Sequence, residues 1–262
     1  VEITAHRGAE MHAPENTVAA VEAALEAAAD WVEIDVQETA DGEVVVLHDS
    51  DLKKVAGVDL KIWDATWENL QDIDVGSFFS PEFSDQRVPK LQEVLELCRG
   101  KAGVVIELKY YGHQVRLEER VAEIVDRLGM ASDIKVMSLD FDGLERMRAL
   151  RPEWKMGYLT SVVMGDLTRM DVDFLAVNSG MASRRFVRAS QNAGKSVFTW
   201  TVNDVLGMSA MMDLGVDGII TDDPRLAREV LAHRAEMNPV ERLLAGLAVY
   251  FGGVKETSED NA

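Results

Sequence analysis

The chain is poor in the residues that mark three classes of protein. Its single cysteine, Cys98, excludes an internal disulfide. No apolar run reaches the roughly 18 residues of a membrane span, and no signal peptide is evident. Basic residues are also scarce, 27 against 46 acidic ones, which argues against nucleic acid as a partner and against a polybasic membrane patch. A small anionic ligand stays open, because it needs only a local positive site.

Length and apolar content allow one large core. The chain has 262 residues, 47% of them hydrophobic, and short aliphatic runs alternate with amphipathic segments that often end on glycine. This alternation predicts a parallel α/β architecture. The candidate strands cover residues 2–6, 31–37, 43–49, 103–109, 134–138, 155–159, 174–178, 196–202 and 217–221.

Nine strands are one too many for an eight-stranded barrel, and the run 43–49 accounts for the excess. Asp41-Gly42 between two alternating runs is a strong hairpin signal. So short a connection cannot be a parallel crossover, so residues 43–49 should return antiparallel. The eight remaining βα units predict a (β/α)8 TIM-type barrel. A two-residue turn also predicts that Asp35 lies opposite His48.

Carboxylates stand on two strands that should be apolar on both faces in a parallel barrel. Glu33 and Asp35 project from one face of their strand, because strand side chains alternate. Glu107 lies near the C-terminal end of another strand, which we expect to lie across the barrel. Barrel enzymes place their chemistry at the C-terminal ends of the strands. The three carboxylates therefore predict an oxygen site for one divalent cation, Mg²⁺ or Ca²⁺.

Basic groups should surround this cation site. His6 and Arg7 end the first strand, His48 ends the returning strand, and Lys109 shares a face with Glu107. Two imidazoles with an ordinary pKa of about 6.5 can transfer protons near neutral pH. Arginine and lysine neutralise anionic oxygens. Together these groups suit a phosphate ester as substrate.

Five stretches, taken together, match one known family. They read AHRG…APENT, EIDVQETADGEVVVLHD, VIELK, TWTVND and DGIITDDP, in order between Ile3 and about Leu231. They closely resemble the glycerophosphodiester phosphodiesterases. The resemblance implies a TIM-type barrel that hydrolyses glycerophosphodiesters to glycerol 3-phosphate and an alcohol with a divalent metal. The nucleophile, either water or the 2-hydroxyl of the glycerol, stays open.

The resemblance also assigns roles to residues. His6 and His48 match the acid–base histidines of the family, Arg7 its phosphate-binding arginine and Lys109 its active-site lysine. The metal ligands of the family match three carboxylates: Glu33, Asp35 and Glu107. None of these seven positions is missing, which argues against a binding module that has lost its chemistry. The PENT stretch should lie near the site, without a fixed role for its Glu15 and Asn16.

The sequence also leaves the identity of the released alcohol open. The alternative to a small glycerophosphodiester is a lipid substrate, cleaved in the manner of a lysophospholipase D or a phospholipase C. An apolar groove formed by the segment inserted after His48 would favour the lipid, and a small polar pocket would favour the diester. Two departures from the family pattern leave this preference open: PKLQE at 89–93 in place of PTLEE, and Leu139 after Ser138 in place of an aromatic residue.

The long segment after His48 predicts a cap lobe of about residues 50–90 within a single domain of residues 1–236. Its aromatic residues either line the substrate pocket or form the core of the lobe, and for Trp67 and Phe83 we favour the core. The aromatic set is Trp63, Trp67, Phe78, Phe79 and Phe83.

A few other residues allow two interpretations. Asp222-Asp223 could lie at the barrel mouth, but we favour Asp223 as a helix N-cap before Pro224. Trp200 either floors the site or packs in the core. Cys98 is expected to be a buried structural thiol. We expect His12 to lie in a surface loop rather than to be a ligand, and His113 and His233 to be solvent-exposed.

Residues 237–262 form a separate segment, predicted as an amphipathic helix (238–253) and a polar tail. We favour docking of this helix on the barrel over a dimer contact or a membrane contact; the oligomeric state stays open. We expect a cytoplasmic protein, or a membrane-associated one if a segment upstream of Val1 has been removed.

Overall fold

Eight parallel strands close into a barrel in the computed structural model, which describes residues 1–162 and 165–237. In chain order the strands are β1 (Glu2–Ala5), β2 (Trp31–Glu38), β3 (Val44–Val46), β4 (Asp51–Leu52), β5 (Val58–Lys61), β6 (Gly103–Leu108), β7 (Ile134–Ser138), β8 (Lys155–Thr160), β9 (Phe174–Asn178), β10 (Ser196–Trp200) and β11 (Gly218–Thr221). Around the barrel they run β1, β2, β6, β7, β8, β9, β10 and β11, and β11 pairs with β1. The predicted TIM-type barrel and all nine predicted strands are confirmed.

Helices separate most of the barrel strands. They are α1 (Val18–Glu26), α2 (Lys53–Ala56), α3 (Trp67–Leu70), α4 (Leu91–Cys98), α5 (Leu117–Leu128), α6 (Phe141–Leu150), α7 (Arg184–Asn192), α8 (Val205–Leu214) and α9 (Pro224–Glu236). Short 3₁₀ turns cover Ile62–Asp64, Pro81–Phe83, Leu167–Arg169 and Ser179–Met181. Local sequence explains where several helices begin. Thr17, Asp140, Ser183 and Asp204 each accept a backbone N–H in the first turn of α1, α6, α7 and α8.

The hairpin of β2 and β3 is antiparallel as predicted, but its predicted register is wrong by one residue. Gln37 pairs with Val45, so the connection is a three-residue loop rather than a two-residue turn. Its last residue, Gly42, has φ +86, the left-handed conformation that such loops require. Asp35 therefore faces Leu47, whose N–H donates to its carbonyl at 2.9 Å. His48 lies one residue beyond the paired part.

The barrel contains a small apolar interior beneath its C-terminal ends. Alternate residues of six strands point inward and form this cluster: Val105, Met137, Leu159, Ala176, Phe198 and Ile220, with Phe174. Glu107 follows Val105 on the same face of β6, one step nearer the C-terminal end. The interior is therefore apolar below and charged at the mouth. The other faces of the strands pack against the helices in the main core.

The segment between β3 and α4 packs a core of its own, formed by Leu52, Val55, Ile62, Ala65, Leu70, Val75 and Val88 together with Val45 and Leu47 of the hairpin. Trp67 is half-buried against this core, as favoured. Trp63 instead stacks on His113 in the loop after β6, with ring centroids 4.1 Å apart. Phe78 and Phe79 are exposed. The core position favoured for Phe83 is wrong, because Phe83 lies outside this core and meets Phe79 edge to face. The segment is anchored where Val46 N–H donates to the Pro89 carbonyl.

The predicted C-terminal helix and tail lie outside the described residues. Among the residues that are described, no helix combines the length and the apolar character needed to cross a membrane.

Candidate active site

Three buried carboxylates meet at the mouth of the barrel. Glu33 and Asp35 project from β2, and Glu107 projects from β6. The expectation that Glu107 lies across the barrel is wrong, because β6 is the neighbour of β2 and Glu107 pairs in register with Asp35. One oxygen from each carboxylate lies within 4.8 Å of the others. All three side chains are buried.

The pKa values of the three carboxyl groups are shifted in opposite directions. Burial and the charge of Asp35 raise the pKa of Glu33 and of Glu107. Burial would also raise the pKa of Asp35, but Lys109 and Arg7 hold it well below its usual range. Glu33 Oε1 is buried without a hydrogen-bond partner. Divalent cations such as Mg²⁺ and Ca²⁺ take oxygen ligands, and a buried oxygen without a donor is unusual in a protein. The three neighbouring carboxylates therefore fit a site for a divalent cation.

Arg7 and Lys109 are held against the carboxylates. Lys109 Nζ lies 2.5 Å from Glu107 Oε1 and 3.0 Å from Asp35 Oδ1. Arg7 Nε lies 3.3 Å from Asp35 Oδ2, and its backbone N–H donates to Glu33 Oε2 at 2.8 Å. These contacts therefore hold both positively charged side chains in place beside the three carboxylates.

The two predicted histidines each pair with an aspartate through Nδ1. His6 Nδ1 lies 2.6 Å from Asp222 Oδ1, and His48 Nδ1 lies 2.7 Å from Asp49 Oδ1. Burial lowers the pKa of His6, but the bond to Asp222 and the charge of Glu33 outweigh it and raise the pKa to about 9. Burial lowers the pKa of His48 below its usual value. The Nε2 atom is the ring nitrogen left to each histidine for a ligand.

Several residues that support the site were not assigned roles from the sequence. Asn16 donates from Nδ2 to Asp35 Oδ2 at 2.7 Å and accepts the Asp35 N–H. Glu15 accepts from Arg7 at 3.0 Å and also pairs with Lys54 of α2. The PENT stretch signalled both residues. The sequence does not show their partners. Asn16, for example, contacts Asp35 from a left-handed backbone conformation with φ +58, which the sequence does not reveal.

Two further side chains hold the backbone around His48. Gln37 Nε2 donates to the carbonyls of Leu47 and Asp49, both at 2.7 Å. The Tyr111 hydroxyl donates to the His48 carbonyl at 2.6 Å. His48 thus reaches the site from an anchored loop rather than from a strand. Neither contact carries a sequence signal, because both are made to backbone atoms.

A cavity of about 110 Å³ lies among these groups. Five of the predicted site residues line it: His6, Arg7, His48, Glu107 and Lys109. Its other lining is apolar: Met137, Leu139, Leu159, Trp200 and Ile220. Trp200 meets both expectations in part, because it lines the cavity and also packs against the interior cluster. A wider cavity of about 370 Å³, lined by His48, Tyr111 and Leu139 among others, lies beside it.

The structure also places the residues for which the sequence favoured a structural role over a catalytic one. Asp223 is the N-cap of α9, and His12 bonds to it at 2.9 Å rather than lining the cavity. His113 and His233 are exposed. Cys98 is fully buried, and burial raises the pKa of its thiol to about 12.

A second group with ligand atoms within 4.8 Å of one another is His6, Glu10 and Asp222. A hydrogen bond already joins His6 to Asp222, so the two are partners of each other. Glu10 lies 3.6 Å from His6 Nδ1, beyond hydrogen-bond distance.

Comparison with known proteins gives one consistent family. Residues 6–226 match the model of the glycerophosphoryl diester phosphodiesterase family. A glycerophosphodiester phosphodiesterase of Caldanaerobacter subterraneus is 32% identical over 232 residues, which cover 85% of this chain and 94% of that protein. The crystal structure of a glycerophosphodiester phosphodiesterase from Agrobacterium tumefaciens has a TM-score of 0.75 at 29% identity, covering 87% of this chain and 99% of that one.

A phosphodiesterase of Oleispira antarctica, solved in complex with the product sn-glycerol-3-phosphate, has a TM-score of 0.80 at 28% identity. The match covers 88% of this chain and 97% of that chain. The family match spans most of the chain, and the fold agrees over nearly the full length of the solved structures. The chain belongs to the glycerophosphoryl diester phosphodiesterase family.

Proposed function

We propose that the chain hydrolyses glycerophosphodiesters to glycerol 3-phosphate and an alcohol at the mouth of its barrel. In this proposal residues 1–236 are a single catalytic domain with residues 50–90 as its cap lobe. Glu33, Asp35 and Glu107 would hold one divalent cation, Mg²⁺ or Ca²⁺. A bound cation supplies positive charge to the phosphoryl oxygens.

The observation that carries the proposal is a group of three buried carboxylates beside a cavity that two basic side chains and two histidines line. Arg7 can bind two phosphate oxygens with its planar guanidinium, and Lys109 adds a point charge. Their contacts with Asp35 and Glu107 keep both side chains in place before substrate arrives. This preorganised charge stabilises the phosphoryl oxygens as negative charge shifts among them.

His6 and His48 would transfer the protons. One takes the proton from the attacking hydroxyl or water, and the other protonates the oxygen of the leaving alcohol. Each histidine has Nδ1 engaged by an aspartate, so Nε2 is available to the substrate. Both rings line the same cavity, which supports their action on one bound diester.

The test is the release of glycerol 3-phosphate from glycerophosphocholine and glycerophosphoethanolamine, with Mg²⁺, with Ca²⁺ and with EDTA. We expect cation-dependent release that Glu33→Ala abolishes and His48→Ala lowers by about 10²- to 10⁴-fold. His12→Ala is the matched control, because His12 also pairs with an aspartate but does not line the cavity. Activity that survives both EDTA and Glu33→Ala would refute the cation site.

A second candidate substrate is a lipid, cleaved in the manner of a lysophospholipase D or a phospholipase C. The observation that favours it is the apolar lining of the cavity, which continues to Leu139 at the mouth with 55% of its surface exposed. These apolar residues belong to the barrel and not to the proposed cap lobe of residues 50–90. A folded protein that releases nothing from the two small diesters but cleaves lysophosphatidylcholine would support this candidate.

A further inference from the structure

An extended hydrogen-bond network stands behind His6, on the side of Nδ1. Asp222 follows β11 directly, and its Oδ1 lies 2.6 Å from His6 Nδ1. Its second oxygen, Oδ2, accepts from Asn203 Nδ2 at 2.5 Å. Asn203 Oδ1 in turn accepts the Asp222 backbone N–H at 2.9 Å and the Thr221 hydroxyl at 3.1 Å. Both oxygens of Asp222 are therefore engaged, and its backbone is fixed as well.

We propose that Asp222, held by Asn203, is a positioning residue that keeps the proton of His6 on Nδ1 and presents Nε2 to the substrate. The inference rests on the proposed function, because it concerns how His6 is prepared for proton transfer. Asp222 accepts from Nδ1–H whether the ring is neutral or charged. Nε2 is then the nitrogen that gains and loses the proton, on the side of the ring left to the cavity.

Glu10 is the other carboxylate near Nδ1, and the geometry favours Asp222 over it. Glu10 Oε2 lies 3.6 Å from His6 Nδ1 and 3.7 Å from Arg7 Nε, and it makes no hydrogen bond. A contact at 2.6 Å is a strong hydrogen bond, whereas one at 3.6 Å is not a hydrogen bond. Asp222 is thus the group that can select the tautomer.

The next residue along the chain forms a similar pair that serves a different purpose. Asp223 lies 2.9 Å from His12 Nε2, and its Oδ1 also caps α9 by accepting the Leu226 N–H at 3.0 Å. The His12 side chain is 30% exposed and does not line the cavity. Two adjacent aspartates therefore each bind a histidine. Of these two histidines only His6, the partner of Asp222, lines the cavity. Asp223 provides the matched control.

The experiment compares Asp222→Asn, Asn203→Ala and Asp223→Asn, each assayed with glycerophosphocholine and cation. Asparagine at 222 keeps the shape of the side chain but can place an N–H against His6 Nδ1, which forces the neutral ring into the wrong tautomer. We expect kcat to fall by about 10²-fold or more for Asp222→Asn, because correctly placed proton transfer contributes 10²- to 10⁴-fold. KM should change by less than about threefold, because the phosphate contacts of Arg7 and Lys109 remain.

Asn203→Ala leaves the carboxylate in place but frees it to rotate, so we expect a smaller loss, about tenfold in kcat. This variant also tests the proposal if Asp222→Asn does not fold. Asp223→Asn should retain the activity of the unmodified chain, because asparagine caps a helix as well as aspartate does. A loss of activity in Asp223→Asn equal to that in Asp222→Asn would overturn the proposal.

The second readout is the ring tautomer, measured by ¹⁵N NMR of the imidazole nitrogens. The chain has five histidines, and the spectrum of His6→Gln identifies the signals of His6. The spectra are recorded above the raised pKa of about 9, where the neutral His6 ring should carry its proton on Nδ1 in the unmodified chain and on Nε2 in Asp222→Asn. An unchanged tautomer together with unchanged kcat would refute the positioning role. If His6→Gln itself keeps full activity, the proposed role of His6 in catalysis fails instead.

Discussion

Replacing Glu33 by glutamine should stabilise the cation-free protein and remove much of the stabilisation that the cation provides. Glu33 is fully buried beside Asp35 and Glu107, and one of its oxygens has no hydrogen-bond partner. Glutamine has the same shape without the charge. In EDTA, Glu33→Gln should therefore remove a repulsion that the native chain must tolerate.

The size of this gain depends on pH in a defined direction. Burial and Asp35 raise the pKa of Glu33, so the folded state holds a proton that the unfolded state has released. The stability of the cation-free native chain therefore falls as pH rises from the ordinary pKa of glutamate through the raised one, by up to about 1.4 kcal/mol per pH unit. We expect Glu33→Gln to be nearly neutral at low pH and stabilising by about 1–3 kcal/mol near pH 9.

The cation should stabilise the native chain more than it stabilises Glu33→Gln. At 100 times its dissociation constant, a ligand stabilises the native state by about 2.7 kcal/mol. For a chain of this size that corresponds to a rise of about 5–10 °C in Tm. Glu33→Gln, with one ligand charge fewer, should gain less than about 1 kcal/mol at the same concentration.

The assay is urea unfolding of both chains in EDTA and in excess Mg²⁺ or Ca²⁺, at a low and a high pH. Glu118→Gln is the control, because Glu118 is also buried but pairs with Arg146 at 2.5 Å and Tyr110 at 2.9 Å. It should lose about 1–3 kcal/mol in EDTA and keep the full response to the cation. An equal cation response in Glu33→Gln, or a loss of stability at high pH in EDTA, would refute the reasoning.

Three further results can be checked separately. Asn16→Ala removes the amide that holds Asp35, and a cation titration of activity should show an affinity about 10- to 100-fold weaker; an unchanged titration would contradict this. Gly42→Ala places a side chain at φ +86 and against Arg120, and urea unfolding should show a loss of about 1–3 kcal/mol. Cys98 should not react with a thiol reagent in the folded chain and should react once in urea, because the thiol is fully buried with its pKa raised to about 12.

The barrel was predictable because its signals are local. Each strand is a short aliphatic run followed by a turn signal, and the eight parallel units follow from counting once the hairpin is set aside. The register of that hairpin was not predictable. A two-residue turn and a three-residue loop differ by one position, and both accept glycine at position 42. The change of register places Leu47 opposite Asp35 instead of His48, and His48 lines the cavity from the loop that follows Leu47.

The seven residues proposed for the site could be named from charge on strand ends and from motif matches. Their supporting partners could not. Asn16, Gln37 and Asp222 act through hydrogen bonds to residues that are not their neighbours in the sequence. Asp222 was ambiguous, because Asp223 beside it satisfies an ordinary helix-cap signal. The distinction between the two requires the position of His6, which only the closed barrel supplies.

Charge balance at the mouth explains why such a site suits a cation and a phosphodiester together. Glu33, Asp35 and Glu107, when ionised, carry three negative charges against the two positive charges of Arg7 and Lys109. That balance repels an anionic substrate, and the whole chain, with a formal net charge of −19, adds to the repulsion. Two positive charges from a divalent cation would leave the group net positive by one, the charge that complements a phosphodiester monoanion. Burial and the charge of Asp35 raise the pKa of Glu33 and of Glu107, and a cation bound among the three carboxylates would offset that repulsion and leave Arg7 and Lys109 to contact the phosphate.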